Sequence, residues 1–163
     1  MRHVLIGTAA LILGTVAVIS TDIRSGWLHP LVAAIARHDP EVEGVDWTSL
    51  RTQLSRRDLL APDTVVGVPN WRDAGKIAYA LGPSATVIVL DPDARQFGIV
   101  HPARAYVGHP ILVLSVGSPN DVPRSLSARF VSLEPLAPGS IDAWGQALEP
   151  MMVMRGHDLR VGP

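Results

Sequence analysis

The chain has 163 residues, 14 basic and 15 acidic, for a formal net charge of −1. That length suits one soluble core with an appendage, and the near-balance of charge removes the basic footprint of a nucleic-acid binder. With no cysteine, disulfides, thiolate zinc sites and cysteine nucleophiles are excluded together.

The mean hydropathy of +0.24 is raised locally, by the N-terminus. Val4 to Ile19 carries no charged residue, and the uncharged run continues to Thr21 before Asp22. A bilayer takes about 17 to 25 apolar residues as a helix, so residues 1–25 are expected to form one transmembrane helix. A cleaved signal peptide competes with this, but Val18-Ile19-Ser20 is a poor cleavage site. Either way, residues 26–163 are expected on the extracytoplasmic side. The expected localisation is therefore single-pass, with the membrane as a partner.

Trp27 suits the membrane interface, and Leu28 to Arg37 has the pattern of a short amphipathic helix, followed by a turn at His38-Asp39-Pro40. Asp46 is expected to cap a helix from Trp47 to about Arg57, with Leu50 and Leu54 inward and Arg51, Arg56 and Arg57 outward. Val65, Val66 and Val68 form a β-branched strand that stops at Pro69. Asn70 stands at a helix N-cap with Asp73 in the first turn. Trp71, Ala74, Ala78 and Leu81 follow on one helical face, and Gly82-Pro83 ends the helix. Thr86 to Leu90 is a second apolar strand, completing a βαβ unit whose strands suit a covered parallel sheet.

Asp91 to Gly98 reads as a polar loop, and Ala103 to Gly108 as a short helix or an irregular crossover. Ile111 to Val116 is the third apolar strand, with loop or short helix from Ser118 to about Arg124. Two further strands are expected at Ala128 to Leu133 and Ala147 to Arg155, with a turn at Pro138-Gly139 between them. Pro150 argues for an edge position of the last strand. The predicted fold is α/β: a transmembrane helix, then a small three-layer Rossmann-like domain with a mostly parallel sheet and antiparallel edge strands.

Open parallel sheets collect ligands at the carboxyl ends of their strands. Those ends offer Asn70, Arg72, Asp73, Lys76, Asp91, Asp93, Arg95, Gln96, Ser115 and Ser118. Arginine for bidentate contact and a helix N-terminus for an anion suit a sugar or phosphate, with Asn70, Arg72, Asp73, Lys76, Arg95 and Gln96 the best ligand-binding candidates. Capping, turn formation and surface solvation account for the same residues, and that plain account weighs more on residue types alone. The Val-Pro-Asn-Trp turn has no glycine to admit a pyrophosphate, so neither dinucleotide binding nor a cofactor is expected. The six histidines are scattered without i, i+4 spacing, so no metal site is expected. Ser115 is not in a Gly-x-Ser-x-Gly elbow. Asp91 and Asp93 could pair as acid and base, but D-P-D is more often a solvated loop.

The stretches Asn70 to Gly82 and Asp93 to Gly98, above all W-x-D-A-G-K and R-Q-F-G within them, resemble the soluble C-terminal region of bacterial membrane glycosyltransferases related to the protein O-mannosyltransferases. The likeness extends back through Thr21 to Leu28 and Asp46-Trp47 to Leu50-Arg51, and forward to Phe130 to Leu136 and Arg155 to Arg160. The resemblance implies a polytopic enzyme with a polyprenyl-phosphate sugar donor and an acidic catalytic residue in an early outer loop. That region has no counterpart in this chain, so no catalytic residue carries over. The chain is then expected to be a fragment of such an enzyme or a standalone descendant of its outer domain. Its implied role is non-catalytic help in holding a donor, a glycan acceptor or a membrane-embedded enzyme subunit. An anchored binding or interaction module without any glycosyltransferase role is the alternative.

Overall fold

Three apolar runs, each dominated by β-branched residues or leucine, build the parallel side of a six-stranded mixed sheet in the order β2-β1-β3-β6-β4, with β5 paired to β6. In the computed structural model, residues 2–28, 46–117 and 124–160 are described. The expected amphipathic helix at Leu28 to Arg37, the turn at residues 38–40 and the loop from Ser118 lie wholly or largely outside them. The chain divides into two units, Met1–Val45 with Ala143–Gln146, and Asp46–Asp142 with Ala147–Pro163.

In the first unit, helix α1 (Arg2–Ser25) includes a 21-residue stretch, Leu5–Ser25, of mean hydropathy 1.8 with none of its apolar window buried. The hydroxyls of Thr15, Thr21 and Ser25 each donate to a carbonyl four residues back, at 2.9, 3.0 and 2.8 Å. Such bonds satisfy polar side chains inside the helix itself. The helix ends on Gly26, whose φ of 63° is left-handed and whose N–H donates to the Asp22 carbonyl. The ring of Trp144 packs on the bare face of Gly26, and its indole N–H donates to the Ile23 carbonyl at 3.2 Å.

The second unit opens with helix α2 (Ser49–Ser55), shorter than expected at both ends. Asp46 accepts from the backbone N–H of Thr48 at 2.9 Å and from its hydroxyl at 2.8 Å. This side-chain turn holds Trp47, which is buried, ahead of the helix rather than inside it. Leu50 and Leu54 are buried as expected. The arginines are exposed but not idle: Arg51 donates to Ser84 Oγ at 2.7 Å, and Arg57 to the carbonyls of Ala137 and Pro138 at 3.0 and 2.8 Å.

Strand β1 (Thr64–Val68), helix α3 (Trp71–Leu81) and strand β2 (Ala85–Val89) form the expected βαβ unit, β1 and β2 being parallel. The buried face of α3 is Ala74, Ile77, Ala80 and Leu81; Trp71 and Ala78 are only half-buried. Ile77 therefore anchors the helix, and the expected face is rotated toward it. A one-turn helix α4 (Phe97–Val100) and a 3-10 turn (Ala103–Tyr106) cross back to β3 (Ile111–Val116), which pairs parallel with β1. Val65, Ile88, Leu90, Ile111, Val113, Phe130, Met152 and Met154 pack as one buried cluster, joined by Ala103 and Tyr106. By pleat alternation Val66 and Val68 point to the other face of the sheet. Gly67 leaves room for Leu90 and Ile111: a Cβ there would stand 2.9 Å from Ile111 Cγ2 and 3.0 Å from Leu90 Cδ1.

The C-terminal half departs from expectation in three ways. Arg124–Ala128 is a short helix, α5, so β4 starts at Phe130 and runs to Pro135. The expected turn at Pro138-Gly139 leads into a strand, β5 (Gly139–Ala143). The last strand, β6 (Gln146–Leu159), is not at the edge, because it pairs antiparallel with both β3 and β4. Pro150 escapes the penalty by lying one residue beyond the β3 ladder, which starts at Met151, and its carbonyl still accepts from Gly117 N at 2.9 Å. The pairings β1–β2 and β1–β3 are parallel and β3–β6 and β4–β6 antiparallel, so the sheet is mixed rather than mostly parallel.

Candidate functional site

The carboxyl ends of β1 and β2 bring together Asn70, Trp71, Arg72, Asp73 and Arg95. Asn70 adopts an extended backbone (φ −138°, ψ 156°) and its side-chain oxygen accepts from Asp73 N at 3.0 Å. Its amide nitrogen also donates to Asp73 Oδ2 at 2.7 Å. The two side chains thus satisfy each other and the first turn of α3, as a capping pair does.

Trp71, the next residue, is the centre of the cluster. The guanidinium of Arg72 lies 5.7 Å from its ring centroid and that of Arg95 lies 5.0 Å away. Two cations share one half-buried indole, an attractive arrangement because the ring face is negative. Arg95 is aimed by its own loop: its φ is 49°, and its Nε lies 3.0 Å from Asp93 Oδ1. Asp93 N in turn donates to Asp91 Oδ1 at 2.8 Å. Asp91 and Asp93 therefore shape the turn and hold Arg95, with Asp93 60 % exposed. An exposed ion pair of this kind adds little stability, so its consequence is the direction in which Arg95 points.

Lys76 and Gln96 do not join this group. Lys76 Nζ stands 5.0 Å from the centroid of Trp47, on the side of α3 that meets α2. Gln96 precedes α4 without a side-chain cap bond, and lines a cavity of about 210 Å³ with Phe97, Val100 and His101. Ser115 is buried in β3 at 6 % exposure, and Ser118 lies outside the described residues. Of the six expected ligand contacts, four converge, and two of those four already hold each other.

The helical spacing groups Trp71 with Ala74, Ala78 and Leu81 on one face, which does not single it out as a platform. Its signal was the Trp-Arg pair combined with Asp-x-Arg one strand later. A second feature was overlooked at the opposite end of the sheet. There a cavity of about 320 Å³ is lined by Asp58, Asp63, His109 and Arg155 among others. Among the described residues, no group of three His, Asp or Glu side chains is placed to hold a metal ion. Comparison with protein families, with curated proteins and with solved structures found no match to this chain.

Proposed function

We propose that the chain is a membrane-tethered, extracytoplasmic α/β module of a polyprenyl-phosphate-sugar-dependent glycosyltransferase, non-catalytic alone, that holds a sugar-phosphate group of donor or acceptor. In this reading α1 spans the membrane once and the second unit is a Rossmann-like ligand holder. The observation that carries the proposal is the Trp71 indole with Arg72 and Arg95 against it. An aromatic face suits the apolar side of a sugar ring, and two guanidiniums suit a phosphate by paired hydrogen bonds. Their place at the carboxyl ends of parallel strands, by the N-terminus of α3, favours an anion there. The resemblance of the same stretch to the O-mannosyltransferase-related enzymes supports the same ligand class. Asp91 and Asp93 serve the loop, Asp91 accepting from Asp93 N and Asp93 holding Arg95.

The test is a titration of the full chain in detergent micelles with hexose 1-phosphates and a short-chain polyprenyl phosphate. Binding should weaken on Arg72→Ala and Arg95→Ala while the fold persists; unchanged binding in both variants would sink the assignment.

A second reading, an anchored module for a protein partner, is favoured by Ile99 and Val100 on α4, which are 84 % and 64 % exposed. Isolated apolar residues are common on surfaces, and two on one turn weigh less than the Trp71 cluster.

A further inference from the structure

The cavity at the amino ends of β1 and β3 is framed by two aspartates in unusual backbone states. Asp58 has φ 54° and Asp63 has φ 64°. Both values lie in the left-handed region that glycine fills most readily. Asp58 closes α2: its N–H donates to the Ser55 carbonyl at 3.1 Å and Leu59 N donates to the Leu54 carbonyl at 3.0 Å. This pair of bonds ends a helix on a left-handed residue, usually glycine, and a carboxylate at a helix C-terminus is also opposed by the helix dipole. Asp63 is the third residue of the turn Ala61-Pro62-Asp63-Thr64, which Thr64 N closes on the Ala61 carbonyl at 3.1 Å. With proline second, a turn of this form asks for glycine or asparagine third. Two positions that suit glycine thus carry an acid, and both acids line one cavity.

The same cavity also holds cationic and imidazole groups. Arg155 of β6 stands in register with Leu112 of β3, and His109 precedes β3. Glu134 is in register with Arg155 on β4 but makes no ion pair with it, and the ring of His109 meets only the edge of Tyr106, at 6.2 Å between centroids. Asp58, Asp63, His109 and Arg155 are all exposed, and among the described residues none of these four side chains makes a hydrogen bond or ion pair with another residue. Leu59 and Pro62 complete the wall with apolar surface.

We infer that this cleft binds a small zwitterion, a primary ammonium held by Asp58 and Asp63 and an anionic oxygen group held by Arg155 beside His109. A volume of about 320 Å³ is at the lower end for ligand pockets, which restricts the ligand to a head-group-sized molecule. Ligand charges then take the place of water around the four exposed groups, and the acid at each left-handed position has a use that glycine lacks. The site is independent of the Trp71 cluster, which lies at the other ends of the strands.

Phosphoethanolamine is the probe, titrated into the full chain in micelles and followed by amide NMR shifts. Saturable shifts are expected at Asp58, Asp63, His109 and Arg155, with ethylamine and inorganic phosphate each binding at least about tenfold more weakly. The double variant Asp58→Gly, Asp63→Gly keeps a backbone that favours the left-handed region, so it should remain folded and lose binding about tenfold or more. Arg155→Gln should do the same, whereas Arg72→Ala should leave phosphoethanolamine binding unchanged. No saturable shift in the wild-type chain overturns the inference. So does full retention of binding in the folded double-glycine variant, or equal binding of inorganic phosphate alone.

Discussion

Asn70 and Asp73 hold each other twice: the carboxamide oxygen accepts from Asp73 N at 3.0 Å while its nitrogen donates to Asp73 Oδ2 at 2.7 Å. The pair fixes the start of α3 and so the position of Trp71, its first residue. It also means that Asn70 and Asp73 are structural members of the rim, occupied without any ligand.

Asn70→Ala removes both bonds and should destabilise the second unit by about 1 kcal/mol, the usual cost of losing an N-cap. Asn70→Ser, which can still accept from Asp73 N, should recover most of it. Urea unfolding followed by tryptophan fluorescence reads the difference. Equal stability of all three chains would show that the cap is redundant.

The stacking of Arg95 on Trp71 separates charge from shape. Arg95→Lys keeps the charge but loses the planar group that lies over the indole and pairs a phosphate through two donors. If the cluster recognises a sugar phosphate, Arg95→Lys should weaken hexose 1-phosphate binding nearly as much as Arg95→Ala. A lysine variant that binds like the wild type would reduce the contribution to simple electrostatics.

The network between α2 and β5 is a third point of failure. Gln53 Nε2 donates to the Ser140 carbonyl and to Asp142 Oδ2, both at 2.9 Å, and its Oε1 accepts from Ser140 N at 3.3 Å. Gln53→Leu leaves the half-buried Ser140 carbonyl and N–H without this partner, and leaves the Asp142 carboxylate only its bond from the Ser140 hydroxyl. The cost should be about 1 to 3 kcal/mol, visible as a lower denaturation midpoint. A change within experimental error would mean that water replaces the glutamine without penalty.

Much of the first half was legible because local chemistry agrees with the tertiary structure there. The valines of β1, the Asn70 cap and the Gly82-Pro83 stop each act within a few residues, and each element formed where its signals lie. The failures share a different cause. The face of α3 turned toward Ile77 because burial against the sheet, not spacing from Trp71, selects it. Pro150 misled because its tolerance depends on where the β3 ladder ends, a fact of long-range register. Strand β5 was unreadable since Gly139-Ser140-Ile141-Asp142-Ala143 has one buried side chain, Ile141, and takes its conformation from β6 and Gln53. At the candidate site, the rim residues were named from their types, but the centring of the cluster on Trp71 required the β2 loop to fold back. The second cavity was invisible because a left-handed aspartate has no signature in sequence.

Helix α1 makes its own test available. Ile12 lies near the middle of the apolar stretch and is 57 % exposed among the described residues. Arginine near the centre of a membrane helix costs about 2.5 to 3.5 kcal/mol on insertion scales. If α1 spans a membrane as proposed, Ile12→Arg should shift the chain from the carbonate-resistant membrane fraction toward the soluble one. Retention of a soluble wild-type chain in the supernatant would refute the span itself.

Gly156 gives the sharpest packing test, because it is buried at a strand crossing that two neighbours share. It pairs with Ile111 on β3 and with Leu133 on β4. A Cβ at this position would stand 2.6 Å from Phe130 Cδ1 and 2.9 Å from its Cζ, and closer still to Cε1. Phe130 is 2 % exposed and packed in the same cluster as Val113, Met152 and Met154, so its ring has nowhere to retreat without displacing them. Gly156→Ala should thus cost about 1 to 3 kcal/mol through overpacking, although alanine otherwise favours a strand over glycine. Phe130→Leu alone should also destabilise, by leaving space above Gly156. Combined, the two changes should cost less than their sum, since the added methyl enters the space that the ring vacates. Denaturation of the four chains measures this coupling, and strict additivity would show that Phe130 does not constrain residue 156.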